Sequence, residues 1–202
     1  MKYLFILGRN PELSLEEVKA YFTREENKIL DYSIKDNALF IDLEKPIQNI
    51  IESFGGVISI GEVIASGQGG ELIENIEKEE IYLGKENKFN YLLWDFSKEE
   101  NEVENYLKKR FRKEKLKVTQ KQIKSEMFLQ SGEKVLVSSS GRNIDFEYFV
   151  FDEKEISYFG KITQKSDYDA IENRDMNKPV RREALSISPR LSKIMINLSL
   201  VK

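Results

Sequence analysis

Residues 3–7 (YLFIL) form an unbroken apolar run, the pattern of a short strand buried on both faces. The period then changes. Leu15, Val18, Tyr21 and Phe22 recur at helical spacing, and Ser14 with Glu17 makes a capping-box pattern that predicts the start of that helix. Residues 28–34 and 38–43 read as two strands joined by an Asp36-Asn37 turn. Pro46 is expected to open a second helix, with Ile47, Ile50, Ile51 and Phe54 facing inward and Gly55-Gly56 ending it. Residues 57–64 supply a fourth strand. The order is β-α-β-β-α-β, the split βαβ or ferredoxin-like arrangement. That arrangement hosts many unrelated activities and does not identify one.

The pattern is interrupted at residues 67–70 (GQGG). A phosphate-binding Walker loop needs Lys followed by Ser or Thr after its glycines, and here Glu71 and Leu72 follow. Glu71 and Glu74 in the first turn of the next helix would repel phosphate, so the glycines read as a turn between units. Residues 71–80 form an acidic, solvated helix. Phe89, Tyr91, Leu93 and the lone Trp94 make a strand, with Trp94 read as core, and Ser97 with Glu100 is expected to cap a helix. On that helix Val103, Tyr106, Leu107 and Phe111 form the inner stripe, while Lys108, Lys109, Arg112 and Lys113 stay outside. Residues 135–137, 144–151 and 156–162 are further strands, separated by turns at Gly132 and residues 138–142. Beyond them, residues 167–173 are polar and aromatic, and residues 174–182 are charged around Pro179. A helix is predicted from Pro189, capped by Ser188, with Leu191, Ile194, Met195 and Leu198 as an apolar stripe. The expectation is an α+β protein: a ferredoxin-like domain over residues 1–66, an α/β domain over residues 67–164, and a connector over residues 165–202.

Composition removes several chemistries. The 202 residues contain neither Cys nor His, which excludes disulfides, thiol nucleophiles, His bases and Cys/His zinc sites. Asp167 and Asp169, two carboxyls flanking a Tyr, read as plain surface rather than an acid–base pair. No segment approaches the roughly 18 apolar residues needed to cross a bilayer, and residues 3–7 are too short for a signal-peptide core. A cytoplasmic protein with no membrane partner and no metal is therefore expected. Charge is unevenly spread. Between Tyr106 and Glu126 lie nine Lys or Arg against only Glu114 and Glu126, a net of seven positive charges in a chain of net charge −3. Such a patch on an otherwise acidic protein attracts a polyanion locally, where the alternative is a solvated Lys-rich face.

A family resemblance gives the polyanion a candidate identity. The run Arg174-Asp175, Lys178-Pro179, Arg181-Arg182, Ser188-Pro189-Arg190-Leu191 and Ile196-Asn197-Leu198 resembles a known junction. It is similar to the segment joining the RNA-binding half to the methyltransferase half of archaeal tRNA guanine-N2 methyltransferases, which carry a THUMP domain before a Rossmann-like catalytic domain. Residues 3–14 (YLFILGRNPELS) resemble the start of the same family. Residues 116–126 (LKVTQKQIKSE) resemble the stretch preceding the last helix of the THUMP core. Both ends of the chain match well and the middle loosely.

The resemblance implies a THUMP-like second domain and tRNA as partner. Lys117, Thr119, Lys121, Lys124 and Ser125 would face the RNA, joined by Lys108 and Arg112 of the basic window, since Lys, Arg and hydroxyl groups bond phosphate oxygens without reading sequence. Phe111, Phe128, Phe146, Tyr148 and Phe149 are each a candidate for stacking on unpaired bases, with core packing the better expectation for each. Arg174, Asp175, Lys178, Pro179, Arg181 and Arg182, with Leu191, Ile194, Met195 and Leu198, would connect and dock a methyltransferase domain or subunit. The family's catalytic Asn- or Asp-Pro-Pro-Tyr motif is absent, since none of the four Pro residues are adjacent, and no Gly-rich loop follows a strand after Ile162. No residue here inherits a catalytic role, and S-adenosylmethionine is expected in the missing half and not in this chain. The competing expectations are a stand-alone THUMP adaptor serving another tRNA-modifying enzyme, and a truncated product kept for protein interaction.

Overall fold

The computed structural model describes residues 1–82, 84–98, 102–121, 126–128, 134–136, 144–177 and 187–200. The chain divides into two compact units, Met1–Gly61 with Thr163–Lys202, and Glu62–Ile162.

The first unit opens with β1 (Lys2–Leu7) and α1 (Pro11–Arg24), followed by β2 (Ile29–Lys35), β3 (Ala38–Leu43) and the start of β4 (Val57–Gly67). Their order is β2-β3-β1-β4, with β1 and β2 each antiparallel to β3, the strand arrangement of a split βαβ unit. The β2–β3 turn falls at Asp36-Asn37 as expected, and Asp36 takes the left-handed φ of 54° that short polar residues tolerate. One face of the strands, through Phe5, Leu7, Leu39 and Ile41, packs on Val18, Tyr21 and Phe22 of α1. Phe5 meets Phe22 and Phe54 edge-on, with ring centroids 6.0 and 5.9 Å apart.

Three local expectations change. Helix α1 begins three residues ahead of Ser14, because Asn10-Pro11 is a better start. The Leu13 N–H donates to Asn10 Oδ1 at 3.1 Å, and Pro stands where its missing N–H is not needed. Ser14 and Glu17 thus lie inside the helix, and both are buried. The helix expected from Pro46 is only a single 3-10 turn, Ile51–Ser53. Asn49 is left-handed (φ 51°), and the backbone donors nearby are satisfied by side chains from elsewhere in the unit. The Ile47 N–H donates to Tyr3 Oη at 3.2 Å, while the Ile50 and Ile51 N–H groups donate to Gln164 Oε1 at 2.8 and 3.1 Å. Ile47, Ile51 and Phe54 are nevertheless buried, as their apolar spacing requires. Finally, residues 168–173 are helical. Asp167 accepts from the Ala170 N–H at 2.9 Å and caps α4 (Tyr168–Met176).

Helix α5 (Pro189–Leu198) starts where the sequence places it, with the Leu191 N–H donating to Ser188 Oγ at 3.2 Å. It packs against α1 and α4. The helical partner of α1 therefore comes from residues 189–198 and not from the segment between β3 and β4.

The second unit contains the rest of β4, then α2 (Glu71–Lys78), β5 (Lys88–Phe96), α3 (Glu102–Lys113), β6 (Lys117–Lys121), a small antiparallel pair β7 (Glu126–Phe128) and β8 (Lys134–Leu136), and the hairpin β9 (Phe146–Glu153) and β10 (Ile156–Lys165). Strand order runs β10-β9-β5-β6, with β5 parallel to both neighbours. A parallel pair needs a crossover, and α3 provides it between β5 and β6. The Ser97 N–H and hydroxyl both donate to Asp95 Oδ1, and Glu100, the other half of the expected cap, lies outside the described residues. Val103, Leu107 and Phe111 of α3 and Leu72 and Ile76 of α2 pack on Phe89, Tyr91 and Leu93 of β5 and on Tyr148 and Val150 of β9.

Two phenols sit in that core. Tyr91 donates to Gln120 Oε1 at 3.1 Å and Tyr148 to the Ile81 carbonyl at 3.0 Å. Burial pushes the Tyr91 phenol up to about 12 and raises that of Tyr148 as well. Both pKa values lie above the unfolded value near 10, so the stability held by the neutral phenols is complete below pH 10 and drains as pH rises through about 12. Circular dichroism is expected to show alkaline unfolding in that window, and replacing both Tyr91 and Tyr148 by Phe moves the midpoint to higher pH. An unchanged midpoint means that other groups drive alkaline unfolding.

Candidate nucleic-acid interface

The basic window of residues 106–126 is not one surface. Lys108 pairs with Glu104 one turn earlier, and this bond holds the Glu104 carboxyl below its usual range. Arg110 is structural. Its guanidinium donates to the Ile76 and Glu79 carbonyls at the end of α2 at 2.5 and 2.6 Å and to Glu114 at 2.9 Å. Lys113 lies 3.8 Å from Glu77, both well exposed. Lys109, Arg112 and Lys115 are exposed at the end of α3 and in the turn after it, where Lys115 takes φ 58°.

Strand β6 arranges the remaining cations. Side chains alternate along a strand. Val118 packs on the core beneath α3 and Gln120 reaches Tyr91, so Lys117, Thr119 and Lys121 stand on the opposite face. Lys117 and Thr119 are exposed and Lys121 is half-buried. β6 ends the strand order, and its register with β5 sets Lys88 beside Lys117, Asn90 beside Thr119 and Leu92 beside Lys121. Lys88 escaped the sequence reading. It lies 18 residues before the window's start at Tyr106, and only the parallel pairing brings it to Lys117. Lys124 and Ser125 lie outside the described residues.

The aromatic candidates with described side chains pack in the core. Phe111, Tyr148 and Phe149 are fully buried, and Phe146 packs on Tyr82 and Phe89 with its ring centroid 5.3 Å from each. Trp94 is half-buried, its Nε1–H donating to Glu147 Oε2 at 2.8 Å. The side chain of Phe128 lies outside the described residues.

The expected connector residues separate just as clearly. Lys178, Pro179, Arg181 and Arg182 lie outside the described residues. Arg174 and Asp175 are in α4, and the Arg174 guanidinium approaches Glu52 at 3.8 Å on the surface. Of the expected apolar stripe on α5, only Ile194 is buried (8 % exposed), whereas Leu191, Met195 and Leu198 are 42, 52 and 39 % exposed. The buried face of α5 is instead Ile194 with Asn197, flanked by Arg190, whose Nε–H donates to the Gly55 carbonyl at 2.6 Å. Asn197 donates from Nδ2 to Glu17 Oε1 and to the Ser53 carbonyl, each at 2.9 Å, and its Oδ1 accepts from Arg24 at 3.1 Å. Glu17, with no exposed surface, also accepts from the Gly55 and Gly56 N–H groups at 2.7 Å each. A Cβ on Gly55 would run into the Arg190 backbone, and one on Gly56 into the Ser14 hydroxyl. The two glycines thus permit the approach of α5 and α1 rather than stop a helix. The polar signal at Glu17 was visible in the sequence, but it reads there as a cap.

Among the described residues no group of His, Cys, Asp or Glu is placed to hold a metal ion, and no helix is long and apolar enough to cross a membrane. No protein-family model matches the chain, and no curated protein matches it. Among solved structures, the chain is similar to PH1313 from Pyrococcus horikoshii at a TM-score of 0.49 and 8 % identity, covering 83 % of this chain and 55 % of that one. It is also similar to a 4-thiouridine synthetase solved with RNA and bound ATP, at a TM-score of 0.40 and 13 % identity, covering 81 % of this chain and 42 % of that one. The chain thus spans about half the length of these structures.

Proposed function

We propose that this chain is a tRNA-binding module, the half of a tRNA guanine-N2 methyltransferase that presents tRNA to a catalytic partner. The observation that carries the RNA-binding part is the juxtaposition of the exposed Lys88 and Lys117 on neighbouring strands, in line with the exposed Thr119 and the half-buried Lys121 on one face. Like charges directly opposite on adjacent strands are destabilising. A fold that keeps such a pair at a sheet edge offers a positive stripe to a phosphate backbone. Ammonium and hydroxyl groups in that stripe position RNA without reading its bases. Binding of unmodified tRNA, followed by fluorescence anisotropy at rising salt, tests this. Affinity in the micromolar range that falls with salt is expected from counterion release, and affinity indifferent to salt removes the proposal.

The methyltransferase assignment rests on the sequence resemblance, with the exposed apolar face of α5 as the surface that docks the catalytic partner. Leu191, Met195 and Leu198 point outward with Ile187 nearby, and exposed apolar patches commonly mark contact sites. S-adenosylmethionine then belongs to the partner, in keeping with the missing Pro-Pro motif. Replacing Leu191, Met195 and Leu198 together by Ser is expected to leave the melting temperature of the isolated chain within about 2 °C, because each is already exposed. The same triple change is expected to abolish co-purification with the methyltransferase subunit. A large fall in melting temperature would reassign these side chains to the chain's own core.

One observation favours a second reading, an adaptor that delivers tRNA to another modifying enzyme. Helices α4 and α5 both belong to the first unit, where Glu17, Asn197 and Arg190 hold α5 and α4 packs against it. Recovery of a modifying enzyme other than a methyltransferase on immobilised protein, lost in the same triple variant, would decide for it.

A further inference from the structure

Strand β2 ends the strand order of the first unit, and its apolar side chains are unusually open. Leu30 is 54 % exposed, Tyr32 43 % and Ile34 42 %. The backbone fixes which groups face outward. Lys35 and Ala38 flank the two-residue turn as a directly paired couple, so Lys35, and with it Ser33 and Asp31, turn their backbone groups toward β3. Tyr32 and Ile34 turn theirs to the open edge. The Tyr32 N–H is taken by the side chain of its own neighbour, Asp31, at 2.9 Å, a local bond of the kind that an intermolecular strand pair can replace.

Outward-facing edge strands are commonly protected by charged side chains, Lys above all, which discourage pairing with a second copy. The charges on β2 are arranged differently. Asp31 and Lys35 sit two residues to either side of Ser33 and on the same strand face. An antiparallel pairing of two copies about Ser33 sets Asp31 opposite Lys35 of the partner subunit, twice by symmetry. It also sets Tyr32 opposite the partner's Ile34 as backbone-bonded pairs on the other face. Moving the centre to Tyr32 puts Asp31 opposite the partner's Ser33, and moving it to Ile34 puts Asp31 opposite the partner's Asn37. Only the Ser33-centred register satisfies the backbone, the charges and the apolar side chains together.

We infer that β2 is a homodimerisation edge, where a second copy of this chain adds its own β2 in antiparallel register about Ser33. The interface is isologous, so each copy contributes the same surface. Main-chain bonds supply the attraction, and the reciprocal Asp31–Lys35 pairs select the register. In forming it, the Tyr32 N–H passes from the Asp31 side chain to the carbonyl of the partner's Ile34.

Sedimentation equilibrium of the full chain across micromolar to submillimolar concentration tests this. The wild type is expected to show a concentration-dependent monomer–dimer equilibrium. Lys35→Asp, which sets Asp opposite Asp twice, weakens it by about tenfold or more. Asp31→Lys combined with Lys35→Asp restores it, because the swapped charges again meet in pairs. Ile34→Lys abolishes it, with the circular dichroism spectrum checking that each variant folds. A wild type that is monomeric throughout overturns the proposal. So does a dimer unaffected by Lys35→Asp and Ile34→Lys, which places the contact on another face. Failure of the double swap to restore a dimer lost in Lys35→Asp overturns the register.

Discussion

Replacing Glu17 by Ala is expected to lower the thermal midpoint of the chain by roughly 10 °C. Glu17 carries no exposed surface and accepts from three donors: the Gly55 and Gly56 N–H groups and the Asn197 side chain. Removing the carboxyl strands all three in a site closed to water. A buried donor without an acceptor costs about 1–3 kcal/mol, and the losses partly overlap because the cavity can admit water or collapse. A net loss of about 3–5 kcal/mol follows, close to what breaking a buried polar pair costs elsewhere. Ile194→Ser acts on the same junction from the apolar side. Its side chain is 8 % exposed, and burying an Ile is worth about 1.5–3 kcal/mol, so it should destabilise measurably while Leu198→Ser should not. Differential scanning fluorimetry separates these outcomes. If Glu17→Ala melts within about 2 °C of the wild type, the network does not hold α5 on the first unit.

Reversing Lys88, Lys117 and Lys121 to Glu together is expected to remove most tRNA affinity. The three lie on one face of two adjacent strands, two of them in register. Each phosphate contact on a single strand adds about 0.7 to the slope of log affinity against log salt, so losing three lowers the slope by about 2. Adding three negative charges to the same face then repels the backbone. The contrast lies in the other cations. Lys108 is tied to Glu104, and Lys109 stands on the outer surface of α3, so reversing Lys109 alone should alter the affinity little. Anisotropy titrations at several salt concentrations read both quantities. Unchanged affinity and slope in the triple variant, with an intact circular dichroism spectrum, would leave the stripe a solvated face.

Elements with a strong period and clean boundaries were legible in the sequence. The run at residues 3–7, the Asp36-Asn37 turn and the Ser188-Pro189 cap specify β1, the β2–β3 hairpin and α5 through local chemistry alone, because the groups that satisfy each backbone end lie within a few residues. The α+β class follows from the alternation of the two periods. Local signals failed where two chemistries competed for the same residues. Ser14 and Glu17 have the spacing of a capping box, but Asn10-Pro11 starts the helix earlier and leaves Glu17 for Gly55 and Gly56. Residues 46–54 have helical apolar spacing, yet Gln164, more than a hundred residues away, takes the Ile50 and Ile51 donors and favours an extended path with one tight turn.

At the candidate interface the sequence determined that positive charge gathers at residues 106–126, together with the alternation that places Lys117, Thr119 and Lys121 on one side of a strand. It did not determine which cations remain available. That depended on Glu104 being one helical turn from Lys108, on the end of α2 reaching Arg110, and on parallel pairing that sets Lys88 beside Lys117. Likewise, the apolar spacing on α5 marked Leu191, Ile194, Met195 and Leu198 as one stripe, and docking on α1 chose Ile194 and Asn197 from a different angle of the same helix. A helix of ten residues exposes several arcs wide enough to bury, and its own sequence ranks them only by hydrophobicity. Asn197 outranked Leu198 because Glu17, Ser53 and Arg24 could satisfy every polar atom of its amide, a condition met only once residues far apart in the chain are brought together.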